Sequence, residues 1–114
     1  MKIFNKVVGN KGEIMAQNYL KSLGYKIIAT NFSCKMGEID IIAQDKKTLV
    51  FVEVKTKTSS QLGFPREMVN LHKQNKIRQV AQFYMLKNKL TNCDCRCDVV
   101  EILEDRVAHL KGCF

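Results

Sequence analysis

Residues 37–57 read GEIDIIAQDKKTLVFVEVKTK, two alternating apolar runs on either side of a short charged turn. That pattern predicts a β-hairpin. The first run sets Glu38 and Asp40 among isoleucines; the second, Leu49 to Thr56, is valine-rich until Glu53 and Lys55 interrupt it. Side chains two apart on a strand share a face, so Glu53 and Lys55 lie together. With Lys46 and Lys47 as a two-residue loop, Asp45 closes against Thr48 and Asp40 falls opposite Glu53. Directly opposed residues share a face as well. A slip of one residue would send Asp40 to the other face.

Two carboxylates and a lysine then converge inside an apolar hairpin, with Glu38 near Lys55. Buried charge is costly unless it is paired or bound to metal. Lys55 can neutralise only part of three carboxylates, and no second cation is in view for Asp40 and Glu53. Oxygen donors of this kind, completed by water, are what a hard divalent ion takes. The competing reading is a solvated strand face with a Glu–Lys ladder. The aspartate on the preceding strand and the β-branched neighbours on both strands favour the metal.

Working outward, the 114 residues make one domain, 1–114, with 46% apolar and 26% charged content, ordinary values for a globular chain. No apolar run approaches the ~20 residues of a membrane span. The first residues, MKIFNK, lack the apolar core of a signal peptide, so a cytoplasmic location is expected. Nineteen Lys and Arg against eleven Asp and Glu leave a formal charge of +8. In a chain this short that favours a polyanionic partner. Five cysteines is an odd number, which argues against a disulfide framework. Cys93, Cys95 and Cys97 are spaced too closely, and lack a second ligand pair, for a structural zinc site. Reduced thiols at a loop-to-strand junction are expected instead.

Before the hairpin, a helix is predicted from Asn10, or the glycine at position 9, to Leu23, with Ile14, Tyr19, Leu20 and Leu23 as its apolar stripe and Gly24 as its stop. Glu13 in its first turn either complements the helix dipole or supplies a third carboxylate to the hairpin site. Residues 25–32, YKIIATNF, predict a first strand, and 33–36 a turn. After the hairpin, residues 56–65 read TKTSSQLGFP. This is either an ordinary connection or a loop able to bind phosphates through Thr58, Ser59 and Ser60.

A long helix is predicted over 66–89, with a break near Leu71 and His72 and a stripe of Ile77, Val80, Ala81 and Tyr84. Lys73 lies on its core side near the N-terminal end, either reaching the sheet or snorkelling to solvent. A loop over 88–94, a strand over 96–103 and a short strand over 106–110 complete the chain. His72 and His109 stand alone and are expected to be structural or solvent-facing.

The order helix, three-strand meander, helix, strand, with D…E-x-K on the second and third strands, resembles the PD-(D/E)xK nuclease core. Within that superfamily GEIMAQNYL at 12–20, GYKIIATNF at 24–32, GEIDIIA at 37–43 and VFVEVKTK at 50–57 are similar to the YraN family of small bacterial proteins (uncharacterised protein family 0102). GFPREMV at 63–69 and CDVVEI at 97–102 extend the likeness over nearly the whole chain. The resemblance implies an α/β, restriction-endonuclease-like fold of α-β-β-β-α-β order, with a mixed central sheet flanked by helices.

It also implies an endonuclease-like activity akin to that of archaeal Holliday-junction resolvases. Asp40 and Glu53 would then be metal ligands, Lys55 the catalytic lysine, and Glu13 the helical glutamate of the resolvase-like branch. Family members often carry Arg where Lys57 stands and an aromatic where Cys97 stands. The first difference would alter phosphate contact, because lysine lacks arginine's bidentate fork.

The implied chemistry is metal-assisted phosphodiester hydrolysis. Mg²⁺, with Mn²⁺ as a substitute, would be held by Asp40, Glu53, Glu13 and the main-chain carbonyl of Val54. Lys55 would orient or deprotonate the attacking water or counter developing charge. Lys57, Thr58, Ser59, Ser60 and Lys73 are the candidate nucleic-acid contacts, with DNA expected over RNA, no membrane, and a homodimer if two strands are cut. The alternative is a binding module that keeps the nuclease fold without cleaving. The complete Asp40, Glu53 and Lys55 set favours the enzyme, since clustered carboxylates repel phosphate unless a metal intervenes.

Overall fold

The computed structural model describes residues 2–57, 70–90 and 92–114, with side chains from residue 11 onward. Helix α1 (Lys2–Ser22) is followed by strands β1 (Lys26–Cys34), β2 (Gly37–Asp45) and β3 (Thr48–Lys57). Helix α2 (Leu71–Lys87), β4 (Cys95–Leu103) and β5 (Arg106–Leu110) complete the order. The strands form one sheet in sequence order. Only β3 and β4 are parallel neighbours; the crossover between them contains α2, as a parallel pair requires. The result is a mixed α/β sheet consistent with a restriction-endonuclease-like core.

The hairpin forms as its sequence predicts. Asp45 pairs with Thr48 across Lys46 and Lys47, and the ladder runs in register to Ile41 and Val52. Lys46 takes the left-handed conformation, φ 58°, that short hairpin turns need. Alternation along β3 sends Leu49 and Phe51 to one face, against Ile77, Val80 and Ala81 of α2. Val50 and Val52 go to the other, against Ala16 and Leu20 of α1. A helix therefore covers each face.

Helix α1 begins earlier than expected, with Gly9 and Asn10 inside it. A helical glycine costs only about 1 kcal/mol, which flanking turns can absorb. The stripe differs too. Leu20 is buried and Tyr19 packs beside it as expected, but Ile14 and Leu23 are exposed and Gly12 and Ala16 are buried instead. Small residues at four-residue spacing let the helix lie close to the sheet; a Cβ on Gly12 would collide with Thr56 Oγ1. Gly24 ends α1 as predicted. Its φ is 91°, and bonds from Gly24 N–H to Lys21 O and from Tyr25 N–H to Leu20 O make a Schellman cap.

Strand β1 runs two residues past the predicted end, because Ser33 and Cys34 pair with Glu38 and Gly37. Of the predicted second helix, residues 66–69 lie outside the described residues; α2 itself starts at Leu71 with Asn70 as N-cap and continues unbroken to Lys87. Its stripe is the expected one, with Tyr84 partly buried at the edge of the core. The last two strands match, β4 beginning one residue earlier.

A polar network locks β4 and β5 to α1. Fully buried Asp98 accepts from Arg96 Nε (3.1 Å) and Gly112 N–H (2.8 Å) and meets His109 Nε2 at 2.7 Å. Arg96 also donates to Asp45 and Tyr25, and Tyr19 Oη meets His109 Nδ1. His109 is thus structural, and His72 is exposed. All five cysteines are free. No helix among the described residues is long and apolar enough to cross a membrane.

Candidate functional site

The strand that carries Asp40 changes phase around it. Ile39 packs on the α2 side of the sheet, yet Ile41, two residues on, packs on the α1 side. On β1, Ala29 and Phe32, three residues apart, both face α2. The ladder passes from Thr30–Ile41 to Phe32–Ile39 without an Asn31–Asp40 pair. Asn31 there has φ 53°, a left-handed conformation that asparagine tolerates better than a β-branched residue would. The distortion frees Asp40 from regular alternation.

On the other edge of β2, the described pairing with β3 stops at Ile41–Val52, one step short of Asp40 and Glu53. The Asp40 carboxylate continues the connection itself, its Oδ2 accepting from Val54 N–H at 2.8 Å. Asp40 and Glu53 consequently line one open pocket of about 250 Å³ with Gly37, Glu38, Lys73, Lys76 and Ile77.

Charge in the pocket is unevenly compensated. Glu53 is 6% exposed. Lys55 Nζ stands 3.8 Å from its Oε2, and Lys73 Nζ stands 2.5 Å from the same oxygen. The second cation that the hairpin alone did not supply therefore comes from α2. Asp40 has no such partner among the described ion pairs. Burial, then repulsion from Glu53, pushes its carboxyl up to about 7 despite the Val54 hydrogen bond, and Glu13 adds to the rise.

Burial raises Glu13 as well; a hydrogen bond with Asn31 opposes this, and Glu38 and Glu53 reinforce it. Lys55 is lowered by burial and by Lys73 beside it. For Lys73 burial acts downward, but bonding to Glu53 prevails and raises it.

The structure thus brings Asp40, Glu53, Lys55 and Lys73 together and sets Glu13 and Glu38 within their electrostatic reach. It does not gather a three-carboxylate cage: among the described residues no three His, Cys, Asp or Glu side chains stand in metal-binding geometry. Two carboxylates, one of them short of a cation, do fit a hard ion that keeps most of its water. Val54 contributes its N–H to Asp40.

Lys57 is held in an ion pair, with its Nζ 3.5 Å from Glu101 Oε2 and both side chains 11% exposed. Thr58, Ser59 and Ser60 lie outside the described residues. Two contributors escaped the sequence reading. Asn31 could have been noticed as the polar residue that breaks an apolar strand. For Glu101, nothing local in the sequence marks its face of β4 as covered.

The model of the family described as "Uncharacterised protein family UPF0102" matches residues 12–102. This chain belongs to that family. It is the YraN family of the sequence comparison. UPF0102 proteins similar to it include one from Caldanaerobacter subterraneus subsp. tengcongensis, 48% identical over 120 residues that cover 99% of this chain and 98% of that protein. One from Clostridioides difficile is 45% identical, covering 96% of this chain and 98% of its own length. A third, from Caldicellulosiruptor saccharolyticus, is 46% identical over 83% of this chain and 80% of its own. All of the carboxylates and lysines discussed above, from Glu13 to Glu101, fall inside the stretch matched by the UPF0102 model.

Proposed function

We propose that this UPF0102 protein is a metal-dependent endonuclease that hydrolyses DNA phosphodiester bonds, at branched or single-strand-containing structures. The observation that carries the reading is the meeting of Asp40 and Glu53 in one open pocket, with Lys55 3.8 Å from Glu53 and no ion-pair partner for Asp40 among the described residues. The hydrogen bond from Val54 N–H needs no negative charge at Asp40, and a half-buried carboxylate without a cation costs stability when ionised. A cation between Asp40 and Glu53 would offset that cost.

When bound there, Mg²⁺ would supply positive charge for the phosphate and a more acidic water. Asp40 and Glu53 hold the ion, with Val54 N–H fixing the rotamer of Asp40. Lys55, whose proton is loosened by burial and by Lys73, stands on the next outward position of β3 to orient or deprotonate the attacking water. The net charge of +8 draws the DNA backbone in without sequence readout, so affinity falls steeply with salt.

The test is cleavage of a panel of labelled duplex, single-stranded, flapped and four-way DNA in magnesium and in chelator. Parent protein should cut at least one structure in magnesium only. Asp40→Asn should abolish cutting while retaining DNA binding, and Lys55→Ala should lower turnover far more than affinity. One observation favours a non-catalytic DNA-binding module instead: the Glu53–Lys73 ion pair satisfies Glu53 without metal. A parent that binds DNA, cuts none of the panel and melts identically with and without magnesium would establish that second reading.

A further inference from the structure

Lys73 occupies an unusual position for a phosphate-contacting residue. The N-cap side chain of Asn70 accepts from Lys73 N–H at 2.9 Å, which fixes the lysine in the first turn of α2. Helical side chains lean toward the N-terminus of their helix, and here that lean carries the ammonium onto Glu53. Two cations, Lys73 at 2.5 Å and Lys55 at 3.8 Å, thus share one carboxylate oxygen. Asp40, in the same pocket, has a single backbone N–H.

A divalent ion bridging Asp40 and Glu53 would correct the deficit at Asp40 but would stand against both ammonium groups. One of them must yield. Lys55 rises from the body of β3, paired there with Glu101 of β4, and its side chain is 25% exposed. Lys73 sits at a helix end with its side chain 40% exposed, and a four-carbon stem turns to water at little cost. Lys76 lines the pocket beside it, so the path outward leads to a basic rim.

We infer that Lys73 is a resident counter-ion, holding Glu53 until a divalent metal displaces it and then meeting the phosphate backbone from the rim of the pocket. This rests on the metal-dependent reading proposed above. Lys73 then couples metal loading to DNA engagement: one positive charge leaves the carboxylates as the metal arrives, and becomes available to the substrate at the same moment.

The experiment is Mn²⁺ titration of the full chain by electron paramagnetic resonance, comparing the parent with Lys73→Met and using Asp40→Asn as the control for site occupancy. With no resident cation to displace, Lys73→Met should bind Mn²⁺ roughly three- to tenfold more tightly, the scale of a half-exposed ion pair. Its affinity for duplex DNA in Ca²⁺ should fall, with a salt dependence shallower by about one phosphate contact. Unchanged or weakened Mn²⁺ binding by Lys73→Met, with the parent binding normally, would overturn the inference and leave Lys73 as a prop for Glu53. If neither protein binds Mn²⁺, the metal-dependent function falls and this inference with it. Lys73→Gln is read the same way should Lys73→Met not fold.

Discussion

Asp40 and Asp98 are both aspartates of the central sheet, and the protein treats their charges in opposite ways. Asp98 is fully buried and richly supplied: Arg96, His109 and Gly112 N–H all converge on it. Burial pushes its carboxyl upward, but those donors prevail and hold it below the usual carboxylate range. Asp40 keeps some exposed surface, has one donor and a carboxylate neighbour, and is raised to about 7. Degree of burial therefore does not decide the sign; the number and charge of the donors do. Asp98 stabilises the fold, whereas the surroundings of Asp40 disfavour its charged form.

The largest expected effect is at the satisfied end. Asp98→Ala strands Arg96 and His109 in the network and should cost about 3–5 kcal/mol, whereas Asp40→Asn should cost nothing. Urea unfolding of both variants in chelator measures the difference. Comparable losses would mean that Asp40 too is structural, and would break the contrast.

Next in size is the response to pH without metal. The folded pKa of Asp40 lies above its unfolded value of 3.8. The unfolded chain therefore releases this proton first as pH rises, and stability declines between about pH 4 and pH 7. Asp98 has the opposite sign, contributing stability above pH 4 that is lost as pH falls through its depressed pKa. Asp40→Asn should remove the decline and be more stable than the parent at pH 8. Magnesium should stabilise the parent more at pH 8 than at pH 5.5. Melts across that range in buffers of constant ionic strength decide the matter, and a parent with a flat profile from pH 4 to 7 refutes the strained-Asp40 account.

A smaller effect sharpens the boundary of the site. Lys57 and Glu101 neutralise each other beside the pocket, although Glu101 Oε2 has no hydrogen-bond partner among the described residues. Replacing both, Lys57→Met with Glu101→Gln, removes a charge pair of poor geometry and should change stability by no more than about 1 kcal/mol. Duplex affinity and its salt dependence should not move. A weaker, less salt-sensitive complex would instead return Lys57 to the phosphate contacts.

Much of this was legible in the chain itself. The hairpin follows from period-two alternation around Lys46 and Lys47, and with it came the register as far as Ile41 and Val52, beyond which Asp40 and Glu53 line one pocket. Gly24 and the stripe of α2 were readable for the same reason. Each is local, determined by residues within a turn or a hairpin of one another. In the apolar stripe of α1, Tyr19 and Leu20 were legible and Gly12 and Ala16 were not, because those two are buried for closeness rather than for hydrophobic size.

What the tertiary structure alone decided is the electrostatic balance. The sequence places two carboxylates and one lysine on a hairpin; only the α2 crossover brings Lys73 to Glu53, and only the parallel β3–β4 pairing sets Glu101 beside Lys57. Asn31 acquires its role because β1 must change phase opposite Asp40. These are contacts between residues far apart in the chain. Their partners depend on how helices and strands pack, for which residue spacing carries no signal, whereas the alternation that builds a strand is written in every second side chain.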